Sequence, residues 1–179
     1  MRFVVLVVVM ACLQAFPQDR GSVTAIIVRH AERAETPADD PGLTTAGQTR
    51  ANALVDVARK ANVTAIITTQ LLRTRNTAEP TAKALRITPE VVTTADTRHA
   101  EKVVSAIKAH AGQSVLVVGH SNTIPVILAA LGVKDAPMIC EMEYDKVFVV
   151  KIPASGAASV ARSTYGAPTP MDANCLAVK

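Results

Sequence analysis

Apolar residues in this chain fall into short continuous runs separated by stretches where they recur every three or four positions. Residues 22–28 (Ser-Val-Thr-Ala-Ile-Ile-Val) are almost wholly apolar, which predicts a strand buried on both faces. A polar loop follows over 34–43, with Pro37, Asp39, Asp40, Pro41 and Gly42. A helix then runs to about Lys60, with Leu54, Val55 and Ala58 on one face and Thr44 or Thr45 as its cap. The next strand covers 63–69, and a helix over 71–85 follows it, with Thr69 able to cap it. Residues 87–93 form a third strand interrupted by Pro89, which places it at or near a sheet edge. A helix over 99–110, a strand over 114–119 and a helix over 122–131 stopped by Gly132 come next. Strands 146–152 and 158–164 pair across 153–156 as a hairpin, and 167–179 is an irregular tail. Strands alternating with helices predict an α/β fold, a three-layer αβα sandwich around a mainly parallel central sheet.

The amino terminus has a different pattern. Arg2 precedes a continuous apolar run from Phe3 to Met10, and the small residues Ala11 and Ala15 stand before the polar Gln18-Asp19-Arg20. The run is too short to span a bilayer, which needs about 20 residues, and it has the layout of a secretory signal. We therefore read residues 1–20 as a signal peptide and 21–179 as one exported domain, periplasmic or extracellular. Cleavage after Ala15 is one route. The other treats Val9-Met10-Ala11-Cys12 as a lipoprotein box, which would anchor the protein to a membrane through Cys12. In an oxidising compartment Cys140 and Cys175 could pair; two independent buried thiols are the alternative.

Composition narrows the partners. Only 3% of the 179 residues are aromatic, so the core must be built from Val, Ile, Leu and Ala. The net charge of +4 is mild and its residues are scattered. It favours anionic substrates and, without a basic cluster interleaved with aromatics, argues against nucleic acid as a partner. No cysteines or histidines stand at zinc spacing.

Chemistry gathers at three strand ends. Arg29 and His30 close the first strand, Arg73 sits in the first turn of the helix after the second, and His120 follows the strand over 114–119. In open α/β sheets ligands collect at this carboxyl edge, and a helix start carrying an arginine suits a phosphate. Arg33, just beyond the first of these segments, reads equally as a further phosphate contact or a solvated arginine, while His99, His110 and Arg75 fit no such pattern and read as surface residues.

With these segments in view, the chain resembles the histidine phosphatase superfamily, also called phosphoglycerate-mutase-like. The family's Arg-His-Gly appears as Arg29-His30-Ala31, and its Leu-Thr-x-x-Gly as Leu43-Thr44-Thr45-Ala46-Gly47. Its Ser-x-Leu-x-Arg-Ala-x-x-Thr-Ala spans Thr69 to Ala78, and its late Gly-His is Gly119-His120. The resemblance runs from about Val23 to Val150. It implies a metal-independent phosphatase in which His30 attacks a phosphomonoester and Arg29, His30, Arg73 and His120 hold the phosphate. The substrate would be a phosphorylated small molecule or an exposed phosphate on a larger one.

Two departures matter. The alkoxide leaving group needs a proton donor, and the family's usual motif is missing after the third strand. Asp96 is the best positional candidate, with Glu32 and the Glu143–Asp145 pair behind it. Relatives with Asp after the late histidine would place it at 121, where this chain has Ser121. Without a donor, the phosphatase would act on phosphohistidine, whose leaving group departs unaided, or the protein would bind phosphate without turnover. The second departure is Ala31 in place of glycine, whose Cβ would either crowd the pocket or be tolerated.

Overall fold

The computed structural model describes residues 21–170. The expected signal peptide, Cys12 and Cys175 lie outside the described residues. Cys140 is buried and disulfide-bonded. No helix among the described residues is long and apolar enough to cross a membrane.

The described chain runs β1 (Val23–Arg29), α1 (Thr45–Lys60), β2 (Val63–Thr68), α2 (Leu72–Leu85), β3 (Glu90–Val91), α3 (His99–Lys108), β4 (Ser114–Gly119), α4 (Thr123–Ala130), β5 (Lys146–Ile152) and β6 (Ser159–Thr164). One sheet holds all six strands in the order β3-β2-β4-β1-β5-β6. The first four are parallel, and β5 and β6 close the far side as an antiparallel hairpin. This is the predicted αβα sandwich.

Period-two alternation explains the layers. In β1, Ala25 and Ile27 face the side covered by α3 and α4, where Val103, Ile107, Ile124 and Ile127 pack. Ile26 and Val28 face the other side, with Leu54 and Ala58 of α1 and Ala78 of α2. The helices that follow β1 and β2 thus lie on one face, and the helix that follows β4 lies on the other. Strands whose connections leave toward opposite faces open a crevice at their carboxyl ends, and β4 sits between β1 and β2.

Local chemistry sets most element ends. Thr44 caps α1 by accepting the Gly47 N–H at 3.1 Å. Gly132, at φ +88°, takes the left-handed conformation that ends α4. Two expectations are corrected. The third strand is only two residues, Glu90–Val91, because Pro89 before it has no N–H to pair. It is an edge strand, as expected. Thr69 does not cap α2. The cap position is Leu71, with no side-chain bond, and the Thr69 hydroxyl is engaged elsewhere.

Candidate active site

The carboxyl ends of β1, β2 and β4 converge. Arg29 is the last residue of β1 and pairs with Gly119, the last of β4. The His30 N–H donates to the Gly119 carbonyl at 2.9 Å, so the two histidines project from neighbouring strand ends. Their ring centroids are 5.3 Å apart, edge to face. His30 is 3% exposed and His120 6%.

His30 Nδ1 lies 2.8 Å from the Ala31 carbonyl oxygen. A carbonyl only accepts, so Nδ1 carries the proton of the neutral ring and Nε2 keeps its lone pair. Burial lowers His30 from its ordinary 6.5 to about 3, against the pull of the Ala31 acceptor and with help from Arg29, His120 and Arg73. Burial also lowers His120 to about 4, aided chiefly by Arg73 and His99. Both rings are therefore neutral at pH 7.

The start of α2 braces both histidine segments with threonine hydroxyls. Thr69 Oγ1 is 3.1 Å from His120 Nε2 and 2.9 Å from Thr74 Oγ1. Thr77 Oγ1 accepts the Ala31 N–H at 2.8 Å and donates to the Arg73 carbonyl at 2.7 Å. Ala31 is fully buried behind this contact and does not line the cavity, so its methyl group leaves the pocket open. The Leu43-to-Gly47 segment supports the same loop. Thr44 N–H donates to the Glu32 carbonyl at 2.9 Å, and a Cβ on Gly47 would meet that oxygen at 2.2 Å. Only glycine permits this approach.

Arg29 holds the opposite rim. Its Nη1 donates to the carbonyls of Cys140, Glu141 and Glu143, and its Nη2 to the Glu141 carboxylate at 2.7 Å. The guanidinium also stacks on Tyr144, 4.2 Å from the ring centroid. Its Nε is buried without a partner. Glu141 Oε1 accepts from Ser121 Oγ at 2.5 Å. The Ser121 bond, followed by the charge of Arg29, keeps the Glu141 carboxyl below its usual range despite partial desolvation.

These groups line a cavity of about 400 Å³, together with Arg33, Ala38, Asp39, Pro41, Arg73 and Asn122. Arg29, His30, Arg73 and His120 are therefore brought together as expected. Of the two readings open for Arg33, the structure favours the pocket: it lines the same cavity from the base of the 34–43 loop, which the Arg33–Leu43 bridge pins. Desolvation, then repulsion from Arg33, lowers the Arg73 pKa from its ordinary value. At the start of α2 the Leu72 N–H is taken by Asp40 at 2.9 Å.

None of the sequence-chosen proton donors lines this cavity. Asp96 accepts the Arg98 N–H at 2.7 Å and pairs with Lys102, holding the turn into α3. Glu32 is gripped by Arg50 through Nε at 3.0 Å and Nη2 at 2.8 Å. Glu143 is buried and accepts the Cys140 N–H at 3.0 Å, and Asp145 binds Thr169 and Lys146. The carboxylates that do line it are Asp39 and Glu141. Sequence reasoning passed over Glu141, although it stands in the same acidic stretch as Glu143. His99 is also corrected: it is buried, with Nδ1 3.0 Å from the Thr93 carbonyl. A second cavity of about 440 Å³, beside α2 and β3, is lined by residues such as Leu72, Arg75 and Glu79, with no histidine or cysteine among them.

Comparisons with known proteins agree with this layout. The sequence model of the histidine phosphatase superfamily (branch 1) matches residues 25–98, which include His30 and Arg73. No curated protein sequence matches. Among solved structures, the protein histidine phosphatase SixA complexed with tungstate superposes with a TM-score of 0.64 at 19% identity, covering 79% of this chain and 96% of its own. Phosphoglycerate mutase from Bacillus anthracis gives 0.64 at 14% identity, covering 82% and 94%. Bacillus stearothermophilus YhfR gives 0.61 at 21% identity, covering 78% and 95%. These likenesses establish the fold.

Proposed function

We propose, from the premise that this chain belongs to the histidine phosphatase superfamily, that it is a metal-independent phosphatase acting on phosphomonoesters through a phosphohistidine on His30. One observation carries the reading. Nε2 of a buried, neutral His30 is left with its lone pair, in a cavity that also holds Arg29, Arg73 and His120.

The chemistry follows from charge. Nε2 forms a bond to phosphorus as the ester P–O bond breaks, and water then cleaves the P–N bond to release phosphate. The charge builds on the equatorial oxygens, where positioned cationic donors are worth most. The arginines at the cavity supply that charge directly. The buried, unpaired Nε of Arg29 is a donor that an anion can satisfy. Binding a dianion also favours protonation of His120, which then donates to it.

The preferred substrate is a small phosphomonoester or a phosphate exposed on a larger molecule, met outside the cytoplasm after export. A second reading is hydrolysis of phosphohistidine or a related phosphoramidate. The placement of Asp96 outside the cavity favours it, since such a leaving group needs no acid.

The test is turnover of p-nitrophenyl phosphate in EDTA with mass spectrometry of the quenched enzyme. Steady hydrolysis with an acid-labile phosphoryl group on His30 is expected. His30→Ala should lose the adduct and about 10⁵-fold of the rate. Phosphate binding without turnover by the wild type would sink the phosphomonoester reading and leave the phosphohistidine and binding-protein readings.

A further inference from the structure

Glu141 is a rim residue that the sequence pattern did not single out. Its backbone is clamped, because Arg29 Nη1 holds its carbonyl at 2.6 Å. Its side chain is three-quarters exposed, yet both carboxylate oxygens point to groups that line the cavity. Oε2 meets Arg29 and Oε1 meets Ser121. A carboxylate so placed faces both the cavity and bulk water. Asp39, the other lining carboxylate, has no comparable tether to the catalytic groups among the described residues.

We infer that Glu141 is the proton donor to the leaving alcohol, held at the cavity rim by Arg29 and Ser121. This rests on the phosphatase reading above. Between Ser121 and Arg29 the group is held ionised. A substrate dianion adds negative charge beside it and draws on Arg29, so a proton binds to Glu141 as substrate enters. When His30 Nε2 bonds to phosphorus, the ester P–O bond breaks and the Glu141 proton passes to the departing oxygen. In the second step water attacks phosphorus, the P–N bond breaks, and the water proton returns to the Glu141 carboxylate. Each cycle consumes one water and regenerates both residues. Ser121 and Arg29 are positioning residues here, fixing the carboxylate between two hydrogen bonds.

The test compares wild type, Glu141→Gln and Glu141→Ala on three substrates with leaving groups of rising need for an acid. These are a phosphoramidate, p-nitrophenyl phosphate and a simple alkyl phosphate. The loss in kcat/KM on the alkyl ester should exceed the loss on p-nitrophenyl phosphate by about 100-fold, and the phosphoramidate should lose least. Formate should restore part of the alkyl-ester rate to Glu141→Ala and not to Glu141→Gln. An equal loss on all three would overturn the inference and leave a structural tether. A uniform gain would also overturn it, making Glu141 a carboxylate that merely competes with phosphate for Arg29. A wild type active on the first two and inert on the alkyl ester would overturn it while leaving the phosphohistidine step standing. Failure of the wild type on all three, without a His30 adduct, would instead defeat the phosphatase reading itself.

Discussion

The two walls of the cavity are built on different terms. The inner wall is made of strand ends: His30 and His120 stand on paired termini, and buried Thr69, Thr74 and Thr77 brace them. The rim over 140–145 is a stretch of coil before β5, and Arg29 organises it by donating to three of its carbonyls. The inner wall therefore exists before any ligand arrives, held by backbone pairing and hydroxyls excluded from water. The rim depends on one guanidinium that is itself a candidate phosphate ligand. A nucleophile benefits from the first arrangement, because positioning lowers the barrier only if it is prepaid. A group that gives and takes protons benefits from the second, where charge and solvent access can change as substrate binds.

The strongest way to break the contrast is Arg29→Ala. It removes phosphate charge and strands three carbonyls together. We expect kcat/KM to fall by about 10³-fold and the fold to lose about 3 kcal/mol, measured by kinetics and urea unfolding. A variant as stable as wild type would show that the rim does not depend on Arg29.

Thr69→Val probes the inner wall alone. It keeps the shape and removes the hydroxyl that faces His120 and Thr74. We expect kcat to fall about 10-fold with KM little changed, at a cost of about 1–2 kcal/mol in stability. A KM effect without a kcat effect would contradict a role in orienting His120.

The smallest effects are in pH. The folded-state pKa values of His30 and His120 are about 3 and about 4, below the ordinary 6.5. The unfolded chain therefore binds more protons in this window. Their contribution to stability is complete above pH 6.5 and declines as pH falls toward 4. Thermal unfolding from pH 7 to 4 should show a falling Tm, less steep in His30→Ala. For activity, the acid limb of kcat/KM should lie below pH 5 after correction for the substrate's own second ionisation near 6. A limb at 6.5 would mean that His30 titrates as if exposed.

Much of the site was legible in order along the chain. Arg29, His30, Arg73 and His120 follow apolar runs, and parallel strands bring such positions to one edge whatever the exact register. The β5–β6 hairpin and the edge position of β3 were legible for similar reasons, a short polar connection and Pro89. Which carboxylate lines the cavity was not. Asp96 has the right place after the third strand, but its carboxylate turns back to Arg98 and Lys102. Glu32 lies two residues from His30 in sequence and is taken by Arg50, 18 residues on. His99 looked like a surface residue, yet it is buried, with Nδ1 against the Thr93 carbonyl of the loop before α3.

The sequence by itself determined the layers, the strand ends and the place of His30 at the end of β1. Those follow from side-chain periodicity and from the common direction of parallel strands, which are local properties. Only the tertiary structure decided which carboxylate meets the cavity and which ring nitrogen stays free. A coil side chain points where its partners are, and Glu141 finds Arg29 112 residues away. The His30 tautomer is likewise set by a single carbonyl, whose position depends on the folded loop around Ala31.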